Sequence, residues 1–446
     1  MNLSKRGGGV ELITLSLFCI ALLVCIIFGF SVLPALIAGL VIFMLYGIKK
    51  GYGLSELLRM LISGAGKAKT VLVSFLFIGI MTAVWREAGT IATIVCYASR
   101  LINPHVFLLA AFLLNALVSC LTGTAFGTSA TMGVICATIA AAIGINPVFM
   151  GGAVLSGAYF GDRCSPVSAS AMLVSQLTHT NIFLNVKNML RTAAVPFALT
   201  CAAYILLGFF TEGVGETPDL YGLFGKEFAL HPVTLLPAAV IVVLSLFKVN
   251  VRITMSASIL VSIPICLFVQ HTSPAELPQL MFSGFVGENA EVAAILNGGG
   301  IVSMLKAGAI VCLSSSYSGI FLKTGLLDGI KESISKLSQR TSPYIATLCT
   351  SVLGSVIACN QTLTVILTHQ LCAELEKRGE KSAIHLEDTA VLIPALIPWS
   401  TAAAVPIASV GCSPICIAFA FFPYILPLWQ LAVETIKNKR AHNKTA

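Results

Sequence analysis

Long apolar stretches follow one another along almost the whole chain, and only short polar turns separate them. Most are close to the ~20 residues that a helix needs to cross a bilayer, and they lack the alternating pattern of membrane barrel strands. Hydrophobic residues make up 57% of the 446 residues, charged residues make up 10%, and the mean hydropathy is +0.93. A water-soluble core could not bury this much apolar surface, so the sequence predicts a helical bundle in a membrane.

One short pattern occurs twice, each time with a Ser-Gly pair ahead of an apolar stretch that carries a glycine and then a cation. The first copy is Ser63-Gly64, Gly79-Ile80 and Arg86, and the second is Ser283-Gly284, Gly300-Ile301 and Lys306. Duplicated halves with interrupted apolar segments are typical of secondary transporters. We therefore expect an all-α polytopic membrane protein of two inverted repeats, residues 1–215 and 216–446, with broken helices or re-entrant hairpins and about 11–14 membrane segments.

The charges of the short loops indicate how the two halves lie in the membrane. The region before the first repeat is basic, whereas its counterpart at 271–297 contains no Lys or Arg. Because basic short loops stay in the cytoplasm, the two regions are expected on opposite sides, with both termini cytoplasmic in a bacterial inner membrane. The same rule explains the net charge of +8, so no nucleic-acid partner is expected.

The sequence contains no sign of an enzyme or of a resident cofactor. Most of the 14 cysteines lie inside apolar stretches, and none has the spacing of a metal site. There is no phosphate-binding loop, nucleophile elbow or zinc motif, which argues against an ATPase or a hydrolase. A channel is disfavoured because no ring of like residues repeats around an axis.

The clearest candidate site is a polar run inside an apolar segment predicted to be broken, at 147–182. Its polar members are Asp162, Arg163, Ser165, Ser168 and Ser170, and Gly157, Gly161 and Pro166 lie among them. Charged residues at membrane depth are costly and mark ion pathways by default. Unwound backbone together with carboxylate and hydroxyl oxygens suits a hard cation, so Asp162 is the predicted Na⁺ ligand. A structural ion pair between Asp162 and Arg163 is the alternative.

Three further polar breaks in apolar segments are predicted to contribute to substrate binding. Their polar residues are Thr124 and Ser129 in the first half, and Asn360, Gln361, Thr362, Trp399, Ser400 and Thr401 in the second. The second-half segment from Pro394 to Thr401 has hydroxyls but no acid. These groups could ligate a cation or a substrate carboxylate, or they could join neighbouring helices.

Three accessory charges remain. Arg86 and Glu87 are adjacent and are expected to form a self-neutralising pair, and Lys306 is expected to find a partner in the other half. Alternatively, either cation could bind an anion.

Four stretches resemble the signature stretches of the NhaC family of Na⁺/H⁺ antiporters. They are Ser156 to Ser168, Trp85 with Gly89-Thr90-Ile91, Asn360-Gln361, and Leu396 to Ser400, within a likeness that spans about residues 50 to 415. The resemblance implies two inverted repeats, hairpins or broken helices that meet at the midplane, a homodimer and an elevator-like alternation. By motif match, Asp162 would bind Na⁺ and exchange it for a proton, assisted by Ser165 and Ser168.

Two departures from the family pattern keep a second function open. Ala169, Met172 and Asn360 stand where family members often carry acids or an Asn, so proton exchange depends on Asp162, with Glu87 or a His as a further candidate. The family also includes carriers of malate and lactate. The alternative is therefore a Na⁺- or H⁺-coupled carrier of a small organic anion or an amino acid.

Overall fold

Regular structure in this chain is helical. The computed structural model describes residues 7–28, 32–66, 68–101, 103–166, 168–210, 220–247, 249–289, 292–293, 296–324, 341–372, 375 and 379–445. Within these ranges no strand forms, and one isolated bridge pairs Phe285 with Gly298. The prediction of an all-α protein is confirmed.

The first half contributes the helices α1 to α11. They are α1 Gly7–Ile27, α2 Val32–Lys49, α3 Leu54–Gly66, α4 Lys69–Glu87, α5 Thr90–Leu101, α6 Pro104–Thr122, α7 Ala125–Thr128, α8 Val134–Ala142, α9 Pro147–Cys164, α10 Ala169–Thr178 and α11 Ile182–Phe209. A π-helical turn at Ser129–Gly133 joins α7 to α8. The boundary predicted between the halves, at residue 215, lies outside the described residues.

The second half contributes α12 to α22. They are α12 Leu220–Phe224, α13 Leu236–Leu246, α14 Val251–Phe268, α15 Leu277–Ser283, α16 Gly300–Ser303, α17 Leu305–Thr324, α18 Pro343–Ala358, α19 Gln361–Cys372, α20 Glu380–Asp388, α21 Thr401–Val410 and α22 Phe421–Thr445. Short 3₁₀ turns occur at Pro232–Leu235, Ile393–Leu396 and Pro414–Phe419.

Several helices have the length and hydropathy of membrane segments. Among the described residues, α6 and α11 are each long and apolar enough to span a bilayer without a break. Two bent pairs pass the same test together: Leu54–Gly66 with Val71–Glu87, bent by 46°, and Glu380–Leu396 with Thr401–Val410, bent by 54°. The helices fit a multi-pass membrane protein, and the predicted total of about 11–14 segments stays a prediction.

The helix breaks occur at matching places in the two halves. Gly123 ends α6 and Cys359 ends α18, both in the left-handed conformation with φ of 67° and 57°. Ser168 and Ser400 cap the ten-residue helices α10 and α21, each by accepting a hydrogen bond from the backbone N–H two residues on, at 3.2 Å. The same local rules of capping therefore shape corresponding segments of both halves.

Glycines bring helices of the two halves close together. A Cβ added to Gly64 of α3 would lie 2.6 Å from the carbonyl oxygen of Ser315 in α17. One added to Gly79 of α4 would lie 2.6 Å from the carbonyl oxygen of Gly300 in α16. Small residues at such contacts let helix backbones approach closely, which is the usual packing device within a bilayer.

The helix that carries Asp162 is held by a similar device. In α9, a Cβ added to Gly157 would lie 2.8 Å from Cβ of Asn115 in α6. Nearby, the Ser119 hydroxyl of α6 donates to the carbonyl of Ala158 at 2.6 Å. Close packing on α6 therefore fixes the position and rotation of α9, and with it the direction of the polar residues at its end.

Candidate functional site

Asp162 lies where α9 ends and the chain unwinds. The residue is buried, with 5% of its surface exposed. The helix stops at Cys164, two residues before Pro166, and helical structure resumes only at Ala169. Because proline disfavours a helical conformation at the preceding residue, the break follows from the local sequence.

Neutral groups hold the Asp162 carboxylate. Ser168 donates to Oδ1 at 2.9 Å, and Ser170 donates to Oδ2 at 3.1 Å. Gln361 donates to Oδ2 from Nε2 at 3.1 Å, and the backbone N–H of Ala125, at the start of α7, also points to the carboxylate. The four donors come from three separate breaks in the helices, so the predicted meeting of broken segments occurs around this one acid.

Arg163 does not neutralise Asp162. Its guanidinium is fully buried and forms an ion pair with Asp388 of α20. It also donates to the carbonyl of Met189 at 3.1 Å and to the hydroxyl of Thr192 at 2.8 Å. Neighbouring helix positions point to different faces, so the two charges at the end of α9 turn away from each other. The alternative of an Asp162–Arg163 pair is therefore wrong.

Gln361 and Asn360 form the break that faces Asp162 from the second half. Asn360 caps α19 by accepting from the N–H of Leu363 at 2.8 Å, which aims the first residues of that helix. Gln361 Nε2 then reaches both Asp162 and the carbonyl of Val391, the latter at 2.9 Å. Gln361 thus joins the acid of the first half to the 3₁₀ region of the second.

A cavity of about 430 Å³ opens beside Gln361. Its polar lining comes from the residues Ser315, Asn360, Gln361, Thr362 and Thr401, and its apolar lining includes Val71 and Phe126. Gln361 lines this cavity and also donates a hydrogen bond to Asp162. The side chain of Gln361 therefore lies between the cavity and the carboxylate.

Two more acids, which no sequence motif singled out, are buried in the same region. Glu387 and Asp388 at the end of α20 are fully buried. Asp388 pairs with Arg163, whereas both oxygens of Glu387 lack a hydrogen-bond partner among the described residues. The Glu387 carboxyl interacts electrostatically with both Arg163 and Asp162. Asp162 is therefore not the only buried acid in this region of the described structure.

The other predicted site residues lie around this centre in mainly structural hydrogen bonds. Thr124 caps α7, accepting from the N–H of Gly127 at 3.2 Å, and the Ser129 hydroxyl donates to the carbonyl of Ala125 at 2.9 Å. The Ser165 hydroxyl donates to the carbonyl of Cys120 at 2.7 Å. The Ser165 bond joins the two first-half breaks, whereas the bonds of Thr124 and Ser129 are local to α7.

The second-half residues have a similar arrangement. The Trp399 indole donates to the carbonyl of Val356 at 3.1 Å, and Ser400 caps α21. The backbone N–H of Thr401 donates to the carbonyl of Cys359 at 2.8 Å. Of these, Thr401 lines the cavity beside Gln361, so it has access to a bound ligand.

The accessory charges do not lie where the sequence suggested. Arg86 donates to the carbonyl of Thr82 at 2.8 Å, while Glu87 accepts from Thr272 at 2.7 Å, and no ion pair joins them in the described structure. Adjacent helix positions face different directions, which explains the failure of the predicted pair. Lys306 is exposed on α17 and lies outside the Asp162 region.

Within the described part of the chain, no group of three His, Cys, Asp or Glu residues could hold a metal ion. A cation bound at Asp162 would therefore take its remaining ligands from hydroxyl, amide or backbone oxygens. Such a mixed oxygen set suits a hard monovalent cation better than a tightly held transition metal.

Comparison with known proteins identifies the family. The model described as "Na+/H+ antiporter family" matches residues 9–179 and 157–436. The chain belongs to the Na⁺/H⁺ antiporter family. The predicted resemblance to the NhaC antiporters of that family is confirmed, because a Na⁺/H⁺ antiporter NhaC of Alkalihalophilus pseudofirmus is 27% identical over 441 residues, 96% of this chain and 95% of the relative.

Other relatives in this family carry different names. The malate-2H⁺/Na⁺-lactate antiporter of Bacillus subtilis is 28% identical over 383 residues, 82% of this chain and 81% of the relative. The arginine/ornithine antiporter ArcD of Halobacterium salinarum is 26% identical over 337 residues, 72% of this chain and 69% of the relative.

Proposed function

We propose that this chain exchanges Na⁺ for H⁺ across the membrane and that Asp162 binds both ions in turn. The observation that carries the proposal is a buried carboxylate held by neutral donors, with no described Lys or Arg paired to it. A buried carboxylate is costly unless a positive charge or a proton neutralises it. Na⁺ and H⁺ each meet that need, and one carboxylate holds only one of them at a time, so the two fluxes are coupled.

The proposal gives Glu387 a supporting role as a second proton carrier. Its carboxyl is fully buried without a hydrogen-bond partner in the described structure, which favours the neutral, protonated form. Because it interacts electrostatically with Asp162, a charge placed on one acid changes the cost of charging the other. Arg163 and Asp388 hold the surrounding helices together as a structural pair.

The family membership and the matched breaks support a wider proposal about architecture. The two halves form inverted repeats that alternate access to the Asp162 site, in a homodimer in the bacterial cytoplasmic membrane with both termini inside. Reciprocal packing supports this arrangement, since α3 packs on α17 while α15 and α16 pack on α4. Na⁺ is cargo here, and the proposed reaction needs no cofactor.

A second candidate function is coupled transport of a small organic anion or amino acid. The names of the Bacillus and Halobacterium relatives favour it, because malate, lactate, arginine and ornithine all carry a carboxylate. The same Asp162 site would then bind the coupling ion, and the polar groups of Asn360, Thr362 and Thr401 would face the solute in the cavity.

Reconstitution in liposomes tests the proposal. A Na⁺ gradient should drive a pH change without any organic solute, and Asp162→Asn should abolish it because the variant offers no charge for Na⁺ or proton to neutralise. Glu56→Gln, an exposed change in α3, is the matched control and should keep normal activity. Thermal unfolding of the purified variants checks that they fold.

Ordinary exchange by a folded Asp162→Asn variant would contradict the site assignment. A pH change or Na⁺ uptake that occurs only when malate, lactate or an amino acid is added would favour the carrier instead.

A further inference from the structure

Arg86 is a mostly enclosed cation without an acidic partner in the described structure. It lies in the last turn of α4, where Nη1 donates to the carbonyl of Thr82 at 2.8 Å. Its Nε is buried and has no hydrogen-bond partner. No described Asp or Glu forms an ion pair with it. An enclosed charge without a partner costs free energy, so a guanidinium in this position favours the binding of an anion.

The guanidinium faces a cavity of about 330 Å³ that is separate from the one beside Gln361. The polar residues of its lining are Thr82, Thr138, Asn297, Ser303 and Ser409. Gly299 brings backbone close to the cation: a Cβ added there would lie 3.0 Å from Nη1 of Arg86, and the residue has φ of 79°. Among the residues that the structure describes, the lining therefore combines one cation with hydroxyl and amide groups and includes no acid.

The two cavities lie toward opposite ends of the same helices. Along α4, Val71 lines the cavity beside Gln361 and Arg86 lines the cavity described here. These residues are ~22 Å apart along the axis at the rise of an α-helix. Along α21, Thr401 lines the cavity beside Gln361 and Ser409 lines the Arg86 cavity. A ligand at Arg86 therefore does not share the Asp162 site.

We propose that the Arg86 cavity binds a small organic carboxylate. The planar guanidinium presents paired N–H donors that match the two oxygens of a carboxylate, and the hydroxyls of Thr138, Ser303 and Ser409 can bond the rest of the molecule. The volume is near the lower end of the ~300–1,000 Å³ typical of ligand pockets, which favours a small ligand. This site does not depend on the proposed role of Asp162.

Isothermal titration calorimetry on the purified full-length protein tests the proposal, with potassium L-lactate and potassium L-malate as probes in sodium-free buffer. We expect saturable binding of at least one of them. Arg86→Gln should weaken it at least ~10-fold, and Arg86→Lys should weaken it less, because lysine keeps the charge and loses the paired donors. Thr138→Val should weaken it by a smaller factor.

Two control variants test whether the effect is specific to Arg86. Lys306→Gln removes an exposed cation and should leave binding unchanged, and Glu56→Gln, an exposed change in α3, should also leave it unchanged. Thermal unfolding confirms that each variant is folded, and if Arg86→Gln fails to fold, the Arg86→Lys and Thr138→Val pair decides. The proposal would be overturned if neither probe bound saturably, or if chloride or sulfate bound equally well. Unaltered binding in the folded Arg86 variants would overturn it too.

Discussion

Asp162 and Arg163 are consecutive in the chain but differ in how their charges are compensated. The arginine is neutralised by Asp388 and tied to α11 by Met189 and Thr192. The aspartate faces hydroxyl and amide donors and pairs with no Lys or Arg that the structure describes. One charge thus joins helices of the two halves, and its neighbour is the one that the proposed function assigns to ion binding.

At the same scale, Glu387→Gln tests whether a second acid carries protons. Glutamine has the shape of the protonated acid, so the variant should fold and should still exchange radioactive Na⁺ for unlabelled Na⁺. We expect it to lose part of the Na⁺-driven pH change, because the amide cannot release a proton whereas Asp162 still can.

Glu380→Gln is the control, since Glu380 lies on the same helix α20 and is exposed. Both fluxes should be normal in that variant. A normal pH change with Glu387→Gln would show that the protons do not travel by way of Glu387.

Single elements take their shape from local signals that the sequence displays. Gly123 and Pro166 mark helix ends in the first half, and the polar pair Asn360-Gln361 with Pro398 marks them in the second. Which helices pack together cannot be predicted from such local signals. The pairing of Arg163 with Asp388 joins residues far apart in the chain, and no spacing rule within one helix foretells it.

The acids of α20 escaped prediction for a related reason. The segment from Glu380 to Asp388 has low mean hydropathy and alternates charges with apolar residues, so alone it resembles a solvated loop helix. Its end is nevertheless buried among other helices. No pattern within the segment displays this burial, which depends on the packing of helices that are distant in the chain.

Glycine substitution tests the packing of α9 on α6. Gly157→Ala places a Cβ 2.8 Å from Cβ of Asn115 and 2.9 Å from the backbone nitrogen of Ala116, which cannot easily move. We expect destabilisation of about 1–3 kcal/mol, as for other overpacked sites. The midpoint of thermal unfolding in detergent should fall accordingly.

Gly354→Ala in α18 is the matched control. An added Cβ there lies 3.6 Å from Oγ1 of Thr368, which is ordinary contact. Alanine is favoured over glycine in a helix by about 0.5–1 kcal/mol, so the midpoint should hold or rise. Equal effects of the two substitutions would contradict the close contact of α6 and α9.

On the scale of the whole molecule, the arrangement of the halves decides the mechanism. Helices α3 and α15 present similar buried faces, with Leu57 and Met60 in one and Leu277 and Leu280 in the other. Loop charge predicts that the segments leading into them lie on opposite sides of the membrane. The helix breaks on which the predicted repeat rests could be read from sequence because they are local, whereas the depth and crossing of each helix depend on the assembled bundle.

Labelling from one side of the membrane tests this inversion. Ser55→Cys and Ser273→Cys place thiols at exposed positions near the starts of α3 and α15, with the parent chain as the blank. An impermeant maleimide should label Cys at position 55 only in inside-out vesicles and Cys at position 273 only in intact cells. Labelling of both from the same side would rule out inverted halves.

The side-chain donors around Asp162 have one property in common. The hydroxyls of Ser168 and Ser170 and the amide of Gln361 can each accept a hydrogen bond as well as donate one, which lysine and arginine cannot do. Rotation about single bonds therefore suffices to turn their lone pairs toward an arriving metal ion. The same side chains can therefore solvate the negative charge of Asp162 when no cation is bound and offer oxygen ligands when one arrives.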